Sequence, residues 1–246
     1  MRVIVNGITG RMGTIIRDLS EKGFADAVFA AGVSPDVVKE EGNLHKSFES
    51  CTEDADVVVD FSFHGAVGSL LDFCVRRNLP VVIATTGHTP EEKALIEKAS
   101  KSIAIFRSAN MSIGVAVTAD LAKKAASAFP DANIEIVETH HNQKLDVPSG
   151  TALLLADSIR SARPDCVYNI GRHENGKRSS SEIGIHSLRI GNVVGIHEIL
   201  ISTGNETITI KHEAHSRALF GEGALRAASF LIGKKSGIYN MEDMLK

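Results

Sequence analysis

The sequence is poor in cysteine, in long apolar runs and in charge of one sign, and each lack removes a class of protein. Its three cysteines, Cys51, Cys74 and Cys166, are odd in number and far apart, so they make neither a CxxC redox pair nor a zinc site and read as buried thiols of a reducing compartment. No apolar stretch is long enough to span a bilayer, and Met1-Arg2 leads straight into Val3-Ile4-Val5, so no signal peptide is expected. A cytoplasmic protein with no membrane contact is the expectation. The net charge is −3, and the lysine pairs Lys123-Lys124 and Lys234-Lys235 sit in mixed-charge sequence, so the chain offers no basic face to nucleic acid. No repeat or low-complexity tract interrupts the 246 residues, which at 43% hydrophobic bury one large core or two modest ones.

What is present is a rhythm. Val3–Val5, Val28–Val33, Val57–Asp60, Val81–Ala84 and Ile103–Phe106 are near-continuous apolar runs separated by helix-length segments. Strands buried on both faces read this way, and their spacing implies βαβ units around a parallel sheet. After Asn110 the rhythm ends. An Ala-rich helix over 114–129 is followed by a strand at Ile134–Val137 and a helix from Ser149. Segments 198–202 and 207–211 alternate apolar and polar residues, as in a half-solvated sheet of mixed or antiparallel strands. The fold class expected is α/β, an N-terminal doubly wound Rossmann sheet with a second α+β domain containing an open mixed sheet. Gly171–Ser181 carries Arg172, Lys177 and Arg178 but no apolar side chain and reads as a mobile loop. Phe220, Ala224, Ala227 and Leu231 recur at helical spacing and predict a last helix.

The first strand runs into Gly7-Ile8-Thr9-Gly10-Arg11-Met12-Gly13 and then into the helical pattern of Ile15, Ile16 and Leu19. Glycines are needed there for a tight turn, for close approach to a pyrophosphate and for packing of helix on strand, while the helix start offers free N–H donors. A lone GxxGxxG is weak evidence, and its place between strand and helix is what raises it. An acid normally ends the second strand to bond the ribose 2′-hydroxyl of NAD. Ser34 stands there, with Asp36 beyond Pro35 and Lys39 the nearest cation, so NADPH or dual use is expected. The turns Ala84-Thr85-Thr86-Gly87 and Ser108-Ala109-Asn110-Met111 follow strand ends, where ligands of open α/β sheets bind, and line a nicotinamide pocket or serve as plain connections. Asp60-Phe61-Ser62 has the same two readings.

The segment from Glu138 to Thr151 packs His140, His141, Lys144 and the Ser149-Gly150-Thr151 turn into one strand-to-helix connection. Histidine passes protons near neutrality, lysine supplies charge or a proton, and a helix start capped by Ser149 attracts a carboxylate. On residue chemistry this is a reduction site for an anion; surface histidines beside an ordinary cap are the plain alternative. His212-Glu213-Ala214-His215 spaces its histidines by three in a strand and lacks the HExxH pattern, so no metal is expected.

Glu138 through Ala152 closely resembles the signature of the dihydrodipicolinate reductase family, also called 4-hydroxy-tetrahydrodipicolinate reductase. Gly10-Arg11-Met12-Gly13, Thr85-Thr86-Gly87, Ala109-Asn110-Met111-Ser112, Arg189-Ile190-Gly191 and Gly195-Ile196-His197 fall in family order. The resemblance implies NADH- or NADPH-dependent reduction of a cyclic imine dicarboxylate in the diaminopimelate route to lysine. It implies that His140 gives or takes a proton and that Lys144 donates one. It implies that His141 contacts a substrate carboxylate and that Ser149, Gly150 and Thr151 hold the other end of the substrate. Gly7, Ile8, Thr9, Gly10, Arg11, Met12, Ser34, Ala84, Thr85, Thr86, Ser108, Ala109, Asn110 and Met111 would hold the cofactor. It further implies a nucleotide domain of residues 1–111 plus 217–246, and a substrate domain of 112–216 whose open sheet builds a homotetramer. Ala84 stands where many members have glycine, Met111 where phenylalanine is frequent, and Ser34 where some have an acid. The competing readings are another small-substrate dehydrogenase, or a non-catalytic NAD(P)H sensor, for which the segment from His140 to Thr151 has no evident use.

Overall fold

A strand with neighbours on both edges and helices on both faces has no polar side, and β1 (Arg2–Asn6) shows this, with Val3, Ile4 and Val5 fully buried. In the computed structural model, which describes residues 1–246, β1 leads to α1 (Arg11–Glu21), β2 (Val28–Val33) and the two-residue β3 (Leu44–His45). β4 (Val57–Asp60), α2 (Val67–Arg77), β5 (Val81–Ile83), α3 (Pro90–Ala99) and β6 (Ala104–Arg107) continue the alternation. Then come α4 (Ile113–Ala128), β7 (Asn133–His140), α5 (Gly150–Ala162), β8 (Val167–Ile170), β9 (Glu182–Arg189), β10 (Gly195–Ser202) and β11 (Thr207–Ala214). The chain closes with α6 (Ala218–Leu231), β12 (Gly237–Tyr239) and α7 (Met241–Leu245). Met1–Ser112 with Ala218–Lys246 form one compact unit and Ile113–Arg217 the other.

In the first unit all seven strands are parallel, in the order β12-β6-β5-β4-β1-β2-β3. From β1 the chain steps outward to β2 and β3 and then returns to the other side of β1 as β4. This reversal opens the crevice in which doubly wound sheets bind ligands, outside the strand ends. Leu70, Phe73, Cys74 and Ile96 of α2 and α3 pack on Ile4, Val58, Val81 and Ile105 of the sheet. Two strands escape the sequence pattern. β3 and β12 are too short to show a period, and β12 is recruited by pairing Ile238 with Ile105 of β6.

The second unit holds the mixed sheet, in the order β11-β10-β7-β9-β8. β7, β9 and β8 run parallel, whereas β10 and β11 are antiparallel additions on the other side. On β7, Ile134, Ile136, Glu138 and His140 occupy alternate positions and are all buried, so the polar end of the strand lies on its core face. Ala122, Ala126, Leu155 and Ile159 of α4 and α5 join Ile134, Ile136, Ile185 and Ile199 in that core. Each fully buried isoleucine there contributes about 1.5–3 kcal/mol of transfer free energy. On β11, Thr207 and Thr209 are exposed while Ile208 and Ile210 are half-buried, the alternation of an edge strand with one wet face.

The basic loop after β8 is held more firmly than its composition suggests. Arg178 donates to the Asn133 side chain and to the carbonyls of Ile134 and Glu182, and Arg172 is paired with Glu182. Two of its three cations are therefore structural ties. No helix is long and apolar enough to cross a membrane. All three cysteines are free and buried, and burial pushes the Cys51 thiol up to about 12.

Candidate active site

The turn after β1 is shaped by what its glycines lack. Gly7 has φ +82°, and a Cβ there would stand 2.5 Å from the Phe61 carbonyl oxygen; at Gly13 it would stand 2.2 Å from the Gly7 oxygen. Gly10 caps α1 without a side-chain bond, and the first turn carries no acid, so its free N–H groups and the positive end of the helix dipole face the turn. Thr9, Gly10 and Arg11 are exposed and Met12 half-buried, whereas Ile8 is buried and offers only backbone. Ser34 is 3% exposed, with its hydroxyl 2.7 Å from that of Thr9. Lys39 is taken by Glu41.

Asp60 resolves toward structure. Its Oδ1 accepts from Asn6 Nδ2 at 2.8 Å and Ser62 Oγ at 2.6 Å, tying the ends of β1 and β4. Burial pushes its carboxyl up, against the hydrogen bonds of Ser62 and Asn6. The later turns face open space. Thr85, Thr86, Ser108 and Ala109 line one cleft of about 320 Å³ beside Lys93 and Arg107, and Ala84 lines a neighbouring one of about 230 Å³ with Ser62 and His64. Ser108 Oγ donates to the Asn110 carbonyl at 2.6 Å, and the Asn110 side chain accepts the Ser112 N–H at 2.8 Å, so this turn holds its own shape. Met111 is buried at 2% exposure, its carbonyl against Gly223 of α6.

In the second unit the end of β7 and the start of α5 meet over one carboxylate. Glu138 Oε2 bonds His140 Nδ1 and accepts from Arg189 Nη1 at 3.0 Å; Oε1 accepts from Arg189 Nη2 at 2.9 Å and from the Ser149 N–H at 3.1 Å. Burial alone would raise this carboxyl, but the bonds from His140, Arg189 and Ser149 hold it far below the usual range. Ser149 Oγ caps α5 by accepting the Ala152 N–H at 3.1 Å and lies 3.1 Å from His197 Nε2. The His197 ring meets that of His140 edge-on at 5.1 Å, and burial, with the neighbouring His140, pushes it down to about 3. Gly150 is exposed, and a Cβ there would meet nothing within 4 Å, so the helix start opens to solvent with Thr151 half-buried behind it.

His141 lies outside this cluster, with its Nε2 3.5 Å from Arg217 Nη2. Burial lowers its pKa, and the charges of Arg217, His140, Lys144 and Arg189 lower it further. Lys144 Nζ is 2.8 Å from Asp146 Oδ1. The structure thus joins His140 to Ser149 through Glu138, sets His141 beside the Arg217 guanidinium and pairs Lys144 with Asp146. Glu138, His140 and His197 converge as metal ligands would, but the Arg189 guanidinium occupies the carboxylate a cation would need.

Four residues of this site carry no role in the sequence reading: Glu138, Arg189, His197 and Arg217. Period two on β7 was a usable signal for Glu138, since it puts residues 138 and 140 on one face. Arg189 and His197 are register neighbours of His140 and Glu138 on adjacent strands, and only the pairing of β9 and β10 with β7 reveals them.

Comparison with known proteins places the chain among reductases. Residues 1–111 match the family model described as "Dihydrodipicolinate reductase, N-terminus", and residues 114–245 match "Dihydrodipicolinate reductase, C-terminus". The 4-hydroxy-tetrahydrodipicolinate reductase of Caldanaerobacter subterraneus subsp. tengcongensis is 45% identical over 248 residues, covering 100% of this chain and 98% of that protein. That of Clostridium tetani is 45% identical over 252 residues, covering 100% and 97%. A solved structure, the dipicolinate-bound dihydrodipicolinate reductase from Paenisporosarcina sp. TG-14, shares the fold with a TM-score of 0.79 at 24% identity, covering 98% of this chain and 97% of that one.

Proposed function

The chain belongs to the dihydrodipicolinate reductase family, and from that premise we propose that it reduces 4-hydroxy-tetrahydrodipicolinate to tetrahydrodipicolinate with NADPH or NADH, in the diaminopimelate route to lysine. One hydride and one proton enter the cyclic dicarboxylate and one water leaves. The nicotinamide supplies the hydride when bound; the chain supplies the rest. The first unit is the nucleotide-binding domain. Its bare glycine turn and uncapped α1 start fit a pyrophosphate, with Gly7 to Met12 as the cradle and Ser34 at the ribose. Residues 84–86 and 108–111 hold the nicotinamide end.

The second unit is the substrate domain. The open start of α5, with Ser149, Gly150 and Thr151, receives one end of the dianion, and His141 with Arg217 receives a carboxylate. Hydride addition leaves negative charge on the ring, which Lys144 and His140 stabilise and protonate. The observation that carries this reading is the Arg217 guanidinium 3.5 Å from His141 Nε2, two groups that together can bind a carboxylate, with burial and the Arg217 charge holding the His141 pKa down.

The reductase works in the cytoplasm, where its buried thiols stay reduced, and assembles as a homotetramer through the exposed edge of its mixed sheet. The test is NADPH and NADH oxidation by the purified protein, with substrate made in situ by condensing pyruvate with aspartate semialdehyde. Substrate-dependent oxidation is expected, whereas cofactor binding without turnover would point to another substrate or to a sensor. His140→Ala and Lys144→Ala should each lower turnover by about 10²–10⁴-fold with cofactor binding intact. Loss of cofactor binding in the folded variants would contradict this division of labour.

A further inference from the structure

Glu138 is a fully buried carboxylate to which the chemistry above gives no part. We infer that Glu138 is a positioning residue: it fixes the ring orientation and tautomer of His140 and ties that histidine to the Ser149-Gly150 turn that receives the substrate. The inference rests on the reading of His140 as a group that carries the proton.

An ionised carboxylate only accepts hydrogen bonds and has about four lone-pair positions. At Glu138 all four are filled, by two Arg189 nitrogens, the Ser149 N–H and His140 Nδ1. Because the carboxylate cannot donate, Nδ1 of His140 must carry a hydrogen. Proton exchange is then left to Nε2, on the opposite side of the ring. The sequence keeps that side clear: a Cβ at Gly195, the first residue of β10, would stand 3.0 Å from His140 Nε2. A purely structural ion pair between β7 and β9 is complete with Arg189 alone, and the bond to His140 is surplus to it.

The same pair reaches the rest of the site. Arg189 Nη2 also donates to the Asp146 carbonyl at 2.7 Å, anchoring the loop that carries Lys144. The groups around His140 are Glu138 on its own strand, Arg189 from β9, His197 from β10 and the adjacent His141, with the Lys144–Asp146 pair further along the loop. Glu138 is the one acid bonded to the His140 ring, since Asp146 is paired with Lys144.

The experiment is a set of pH profiles of kcat/KM for the full-length enzyme and its E138Q, H140Q and E138Q/H140Q variants, with NADPH affinity measured in parallel. E138Q should lower kcat by about 100-fold with NADPH affinity unchanged, and should move the profile limb that H140Q abolishes to lower pH. The double variant should be no slower than H140Q, since Glu138 acts through His140. Losses that multiply, or a limb that stays in place, would overturn the inference. Near-normal turnover in H140Q would instead remove His140 from the chemistry and leave the Glu138 contacts standing. Should E138Q fail to fold, ¹⁵N spectra of histidine-labelled wild-type protein decide the matter. A proton on Nδ1 of His140 in the neutral ring is expected, and a bare Nδ1 with the proton on Nε2 would overturn it.

Discussion

The hydroxyls of Thr9 and Ser34 meet at 2.7 Å, so the glycine turn after β1 and the end of β2 are clasped by two small side chains. Ser34 Oγ also accepts the Asp36 N–H at 3.3 Å, which turns the chain away from the strand at Pro35. The position that usually carries a ribose-binding acid is thus a neutral hinge of the turn itself.

Ser34→Glu places a negative charge where a 2′-phosphate would lie and should raise the NADH-to-NADPH ratio of kcat/KM about tenfold, the equivalent of about 1.4 kcal/mol. Ser34→Ala breaks the clasp without adding charge and should weaken both cofactors alike. Equal effects of the two variants on the ratio would move the discriminating contact elsewhere.

The glycines of the turn should differ in tolerance. A Cβ at Gly10 comes no nearer than 3.2 Å to the Gly7 oxygen, whereas at Gly13 it meets backbone at 2.2 and 2.7 Å. Gly13→Ala must displace the turn and should cost at least about tenfold in cofactor affinity, and Gly10→Ala much less. Calorimetric titration with NADPH measures both, and equal affinities would contradict the steric account.

Arg217→Met removes the guanidinium beside His141. Losing a hydrogen bond to a charged group costs about 1.5–3 kcal/mol, so the substrate KM should rise about 10–100-fold while kcat falls less. The same variant lets His141 titrate at higher pH, because one of the charges opposing its protonation is gone. A KM equal to wild type would exclude Arg217 from the carboxylate site.

Acid should weaken the fold early. His197 ionises near 6.5 when unfolded but only near 3 when folded, so below 6.5 the unfolded chain takes up a proton that the folded one refuses. Stability then falls by up to about 1.4 kcal/mol per pH unit. Glu138 adds a second loss below its ordinary value of 4.5, because folding holds it ionised. His197→Gln should flatten the decline between 6.5 and 4.5 in urea melts, and an unchanged slope would assign it to other groups.

The glycine turn, the Ser149 cap and the alternating rhythm are legible in the sequence because each is set by residues within one or two turns of chain. The ligature at Glu138 is not. Its partner Arg189 is 51 residues away, and His141 and Arg217 are 76 apart, so those contacts exist only once strand register is fixed. The loop from Gly171 to Ser181 shows the opposite error. Its lack of apolar side chains is visible, but Arg178 anchors through hydrogen bonds to backbone and Asn133, which composition does not reveal.

The seventh strand of the parallel sheet, β12, is paired with β6 across the whole of the intervening second unit. A ribosome therefore emits the nucleotide-binding sheet in two instalments. Until Tyr239 has left the exit tunnel, β6 is a bare edge with unpaired backbone groups, exposed to strand addition from any neighbouring nascent chain. A premature stop only a few codons upstream of that tyrosine removes no residue assigned to the chemistry, yet leaves that edge permanently open.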